Sequence, residues 1–114
     1  MTLSELNNDF YFHDSVLEKI EYKNRELKMH CQFCEFMQAN YQDQDNTNSD
    51  IIVVFHNAVY ETRGNWRMNG AGFLNQVLQN GTFVFHMESS QGEFGSLMIK
   101  ADSVEIIKLC SYIL

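Results

Sequence analysis

Proline is missing from the 114 residues, and tryptophan occurs once. Without proline there is no X–Pro bond to isomerise and no fixed φ to break an element. Punctuation must therefore come from Gly, Asn, Asp and Ser. Basic residues are also scarce, eight Lys and Arg against fifteen acids, for a formal net charge of −7. Nucleic-acid phosphates need a Lys/Arg footprint, so nucleic acid is excluded as a partner. A basic protein surface is the natural complement. No apolar run reaches the roughly 18 residues of a membrane span. The opening "MTLSELNNDF" lacks the basic start and apolar stretch of a secretion signal. Three cysteines, an odd number, then point to reduced thiols and a cytoplasmic protein.

What is present is an aromatic-rich chain, 45% hydrophobic, with nine Phe and five Tyr. Its length suits one domain, residues 1–114, with a single core. Thr2 and Glu5 have capping-box spacing, which predicts a helical turn at the start. "SVLEKIEY" (15–22) reads as a strand whose alternation is broken by Glu18. "LKMHCQF" (27–33) alternates without error, and "KNRE" between them makes a hairpin. A phase slip at "FCEF" (33–36) suggests a β-bulge. Residues 38–50 are a long polar loop holding Asp43, Asp45 and Asp50. "IIVVFHNAVYE" (51–61) is apolar on both parities, as in a central strand covered on both faces. "TRGNWRMNGAG" (62–72) is a Gly-rich loop. "FLNQVLQNG" (73–81) spaces its apolar residues like a short helix, with Asn80-Gly81 as C-cap. "TFVFHME" (82–88) is a strand, and "FGSLMIKA" with "SVEIIKLC" forms a second hairpin about residues 101–103. No internal repeat is legible. The expected fold is all-β, an antiparallel sandwich or curled sheet of about six strands with one or two short helices. An α+β arrangement, with 73–80 packed on the sheet, is the alternative.

Chemistry-bearing patterns are sparse. Cys31 and Cys34 have Cys-x-x-Cys spacing, but a zinc site needs a second pair of ligands. A strand also turns these two thiols to opposite faces. Nothing places a base beside a cysteine, and neither a Gly-x-Ser-x-Gly elbow nor a phosphate loop occurs. The expectation is a non-enzyme without cofactor or metal. His56 and His86 read as core or half-buried histidines bonded to neighbours.

The candidate binding residues are His13, Asp14, Arg63, Trp66, Arg67, Asp43, Asp45 and Asp50. Trp66 between Arg63 and Arg67 has the composition of an interface anchor, and its alternative is a ring folded back to cap the core. The three aspartates could steer a basic partner. In "YFHDSVLEKIEY" the triplet His13-Asp14-Ser15 reads either as a site or as a polar corner, with Phe10 and Phe12 beneath it. The apolar "IIKLCSYIL" end leaves a homodimer through an edge strand open.

"FHDSVLEKIEY", "ELKMHCQF", "IIVVFHNAVY" and "GSLMIKADSVEII" together resemble a loose group of small uncharacterised bacterial proteins. Some of these are similar to immunity proteins of polymorphic toxin systems. The resemblance implies a cytoplasmic, non-enzymatic, all-β or α+β domain that binds a protein partner. No catalytic residues carry over from it.

Overall fold

Two tight turns set the frame. Asn24-Arg25 and Asn80-Gly81 each place two consecutive residues at positive φ, 52° and 59° in the first and 52° and 77° in the second. That is the backbone of a type I′ hairpin turn, whose twist matches the strands it joins. Around them the computed structural model describes residues 1–34 and 48–109. After helix α1 (Leu3–Asp9) come β1 (Val16–Lys23), β2 (Glu26–Cys34), β3 (Asn48–His56), β4 (Val59–Arg63), β5 (Ala71–Gln79), β6 (Thr82–Glu88), β7 (Phe94–Lys100) and β8 (Ser103–Lys108). The expected capping box is formed, with Thr2 Oγ1 accepting from Glu5 N–H and Glu5 Oε1 accepting from Thr2 N–H.

All eight strands form one antiparallel sheet in the order β4-β7-β6-β5-β1-β2-β3-β8. The protein is all-β with a minor helix. The junction between the halves is thin, only Val16 with Gly72 and Leu17 with Ala71. Yet β3 runs into β4, at the far end of the order, through Asn57-Ala58 alone. Such short links require the sheet to fold over on itself. The inner faces of β1-β2-β3-β8 and β5-β6-β7-β4 enclose a single core. Phe12 sits between the layers, its ring 5.2 Å from both Phe33 and Phe85.

The order reads the same when β1–β4 are exchanged with β5–β8. Register follows: Leu27 faces Phe55 as Phe83 faces Ile99, and Val104 faces Phe55 as Tyr60 faces Ile99. Each half is a three-stranded meander that lends its fourth strand to the other half. A repeat illegible in the sequence is therefore explicit in the structure. Corresponding core positions share size and polarity, Leu17 with Phe73 and Met29 with Phe85, rather than identity.

Several expectations are corrected. Residues 73–79 are strand, not helix, and Asn80-Gly81 is a hairpin turn. A bulge between Phe73 and Asn75 shifts the parity, so Phe73 and Leu78 share the inner face at helix-like spacing. The corresponding bulge, between Leu17 and Lys19, explains the break at Glu18. The 51–61 run is two strands, cut at Asn57, whose φ is 49°. Asn48–Asp50 belong to β3 rather than a loop. Likewise β7 and β8 do not pair with each other, because the link 101–102 lacks the two positive-φ residues a tight hairpin turn needs. Most of the 33–36 slip, and Asp43 and Asp45, lie outside the described residues.

Candidate functional site

The opening triplet is a corner, and it has a twin. Asp14, at φ 66°, donates its N–H to Phe73 O at 3.1 Å; Gly70, at φ 84°, donates to Leu17 O at 2.7 Å. Ser15 N–H reaches Phe12 O at 2.9 Å, and Ala71 N–H reaches Met68 O at 3.1 Å. These two turns clamp the thin β1–β5 junction from either side. Ser15 is fully buried, and its Oγ accepts the Cys34 N–H at 2.9 Å. His13 Nδ1 hydrogen-bonds to the carbonyl of Leu74 at the β5 bulge, and its Nε2 lies 3.4 Å from Asp14 Oδ1. Stacking on Tyr11 fixes the ring, with centroids 5.8 Å apart. The polar atoms of the triplet are thus engaged in holding the fold.

By the same correspondence Trp66 occupies the place of Phe10, and both lean on the core. The indole Nε1 donates to Arg63 O at 3.0 Å. Its ring lies over Gly95, where a Cβ would stand 1.9 Å from Cδ1. The ring is folded back. Arg63 Nη2 is 3.5 Å from Glu61, and Arg67 N–H donates to Glu93 Oε1 at 3.2 Å. Asp50 is exposed on the outer face of β3 opposite Gln32, away from the Trp66 loop.

The two outer faces differ in kind. On β1-β2-β3-β8 charge is concentrated on Lys19, Glu21 and Lys23 of β1, Glu26 and Lys28 of β2 and Glu105 of β8, around an apolar stretch of Ile52, Val54 and Ile107 on β3 and β8. His56 is set 3.0 Å from Glu105 and 3.5 Å from Glu26. His30 Nε2 is 2.7 Å from Glu21 Oε1 but has no well-aligned hydrogen-bond acceptor. The Glu21 carboxyl is held below its usual range, first by this contact and then by the charge of Lys19. Such a laced surface suits water.

The other face, on β4-β7-β6-β5, is neutral through its middle. Val77, Val84 and Met98 lie side by side across three strands, with Asn75, His86 and Ser96 in the next row. Charged Glu61, Arg63, Glu88 and Lys100 stand at the margins. His86, expected in or near the core, is exposed here, with Nδ1 3.4 Å from Ser96 Oγ. Phe94, beside Glu88, is 64% exposed, and Val77 42%. A shallow groove of about 250 Å³ ends the face, lined by Val59, Tyr60, Glu61, Thr82, Met98 and Lys100. A charge-depleted centre with Phe and Met inside a polar margin is the composition of a protein interface. The signal was present in "LNQVLQ" and "TFVFHME", but it could not be read while 73–80 was taken for helix.

Cys31 faces the core, and burial raises its thiol far above its ordinary value. Cys34, three residues on, points to the opposite face. Among the described residues no group of three or more His, Cys, Asp or Glu could hold a metal ion, and no helix is long and apolar enough to cross a membrane. No family model, curated protein or solved structure matches the chain.

Proposed function

We propose that the chain is a non-enzymatic protein-binding domain and that the neutral face of β7-β6-β5 receives the partner. The observation that carries this reading is the uncharged row Val77–Val84–Met98 beside the row Asn75–His86–Ser96, with the protruding Phe94 at the margin beyond them. It lies on a rigid ladder, so docking orders little that is not ordered already. The surplus negative charge, −7 over the chain, favours a partner with a basic surface and speeds the encounter. In its sharpest form the partner is a toxin, covered in the cytoplasm by an immunity-like protein. The resemblance of the strand pattern supports that form.

The test is capture from native lysate at low and high salt, with wild type and Val84→Lys as bait. The reading expects one basic partner, retained by wild type at low salt, weakened by salt and lost with Val84→Lys. A partner held equally by Val84→Lys would remove the neutral face from the account. No partner at either salt would remove the binding reading itself. Charge reversal at Asp43, Asp45 and Asp50 is expected to slow association.

A further inference from the structure

The two ends of the sheet are not alike. Strand β8 ends one side, and its outer backbone is occupied: Met1 N donates to Val104 O and Val104 N–H donates to Met1 O, both at 2.8 Å. Tyr60 of β4 holds the corresponding register position. Main-chain groups alternate along a strand, so Tyr60 and Thr62 aim their N–H and C=O away from β7. No described residue pairs with that side. A homodimer through β8 therefore meets an edge already partly filled, and residues 110–114 of the apolar end lie outside the described residues; among the described residues the edge of β4 is open.

We propose that the open edge of β4 pairs, antiparallel and about a two-fold axis, with β4 of a second copy of this chain. Three registers would bring outward-facing residues together. One sets Glu61 against its own copy, which repels. Another needs the Ala58 backbone, whose N–H is bonded to Arg25 O and whose carbonyl accepts from Tyr22 Oη. The third centres the axis on Thr62, so that Thr62 pairs with its own copy, Glu61 of each chain stands opposite Arg63 of the other, and Tyr60 falls opposite Gly64, just past the strand, where the pairing ends. Both side chains are exposed on the same face, where they already approach to 3.5 Å within one chain. The edge is thus charge-complementary to itself in that register alone. Pairing would continue one sheet across both copies and bring their neutral faces together. One short strand from each side makes a small contact, of the weak, concentration-dependent class. This dimer does not depend on the partner-binding reading, since the mass of the purified protein reports it directly.

Sedimentation equilibrium over about 10 to 500 µM is the test, spanning the range of weak contacts. Wild type should pass from monomer toward dimer. Thr62→Pro removes the outward N–H without breaking a bond to β7, so it should fold and remain monomeric. Glu61→Arg should weaken the dimer about tenfold by placing Arg opposite Arg in both pairs. The double swap Glu61→Arg with Arg63→Glu should restore it. A wild type that stays monomeric, or a dimer indifferent to all three variants, would overturn the proposal.

Discussion

Substituting Gly95 by alanine tests whether Trp66 is a structural cap. The new Cβ would sit 1.9 Å from the indole Cδ1, 2.2 Å from Nε1 and 2.5 Å from the Arg63 carbonyl. None of these distances is sustainable, so the ring must leave. Departure breaks the Nε1–Arg63 hydrogen bond, worth about 1 kcal/mol. A tryptophan buries roughly 200 Å²; returning half of that to water costs about 2.5 kcal/mol. The sum is about 3.5 kcal/mol, before any strain where Arg63 O meets the new methyl. Trp66→Ala alone should cost a similar amount. The double variant should cost well below the sum of the singles, because the ring that clashes is gone. Urea unfolding followed by far-ultraviolet circular dichroism gives all three values, and for wild type and Gly95→Ala the sole tryptophan reports the same transition by fluorescence. A Gly95→Ala protein within about 0.5 kcal/mol of wild type, the usual range for neutral surface changes, would show that Trp66 does not pack here.

Three further outcomes follow from the same contacts. Ser15→Ala leaves the Cys34 N–H without its acceptor, and should cost about 1–3 kcal/mol in urea unfolding. Cys31 should resist alkylation in the native state and react on unfolding, because burial keeps its thiol protonated; rapid native labelling at Cys31, located by mass spectrometry, would contradict that. The Glu5 carboxyl is held below the ordinary carboxylate range, chiefly by the Thr2 backbone N–H and then by the Thr2 hydroxyl. A depressed carboxylate contributes stability above its unfolded pKa that is lost as pH falls through its folded one. Glu5→Gln should therefore shrink the drop in melting temperature from pH 5 toward pH 3, and leave the rest of the profile alone.

How much of this was legible in the residues depended on local rules. "LKMHCQF" alternates because β2 keeps one face on the core along its whole length, and the Thr2–Glu5 box needs only its own four residues. Bulges hid the rest. A single extra residue at Leu74 changes the parity of β5, and a two-residue period seen through that shift imitates a helix. The exchanged strands were equally hidden. Links of two residues normally join hairpin partners, and only the backbone says otherwise, with a single positive φ at 57–58 and none at 101–102. The repeat left almost no identities, because the core asks for volume and the corners ask for φ. Asp14 and Gly70 meet the same demand with different residues. The neutral face was invisible for a related reason: it belongs to a row across strands, and rows need register.

The exchange of β4 and β8 also has a consequence during synthesis. When the first 63 residues have been made, β1, β2 and β3 can pair, but β4 has no neighbour until β7 exists. The outer side of β3 waits longer still, for β8. The nascent first half thus carries the outer side of β3, the free side of β1 and all of β4 unsatisfied, and another ribosome's first half offers the wrong partner for each. Contacts between residues so far apart in the chain also form slowly. Crowded translation should therefore favour tangled pairs of chains over single ones, and slowing initiation should relieve it. The same interlock protects the finished molecule: a protease that cuts within 64–70 leaves two pieces, each still holding a strand of the other.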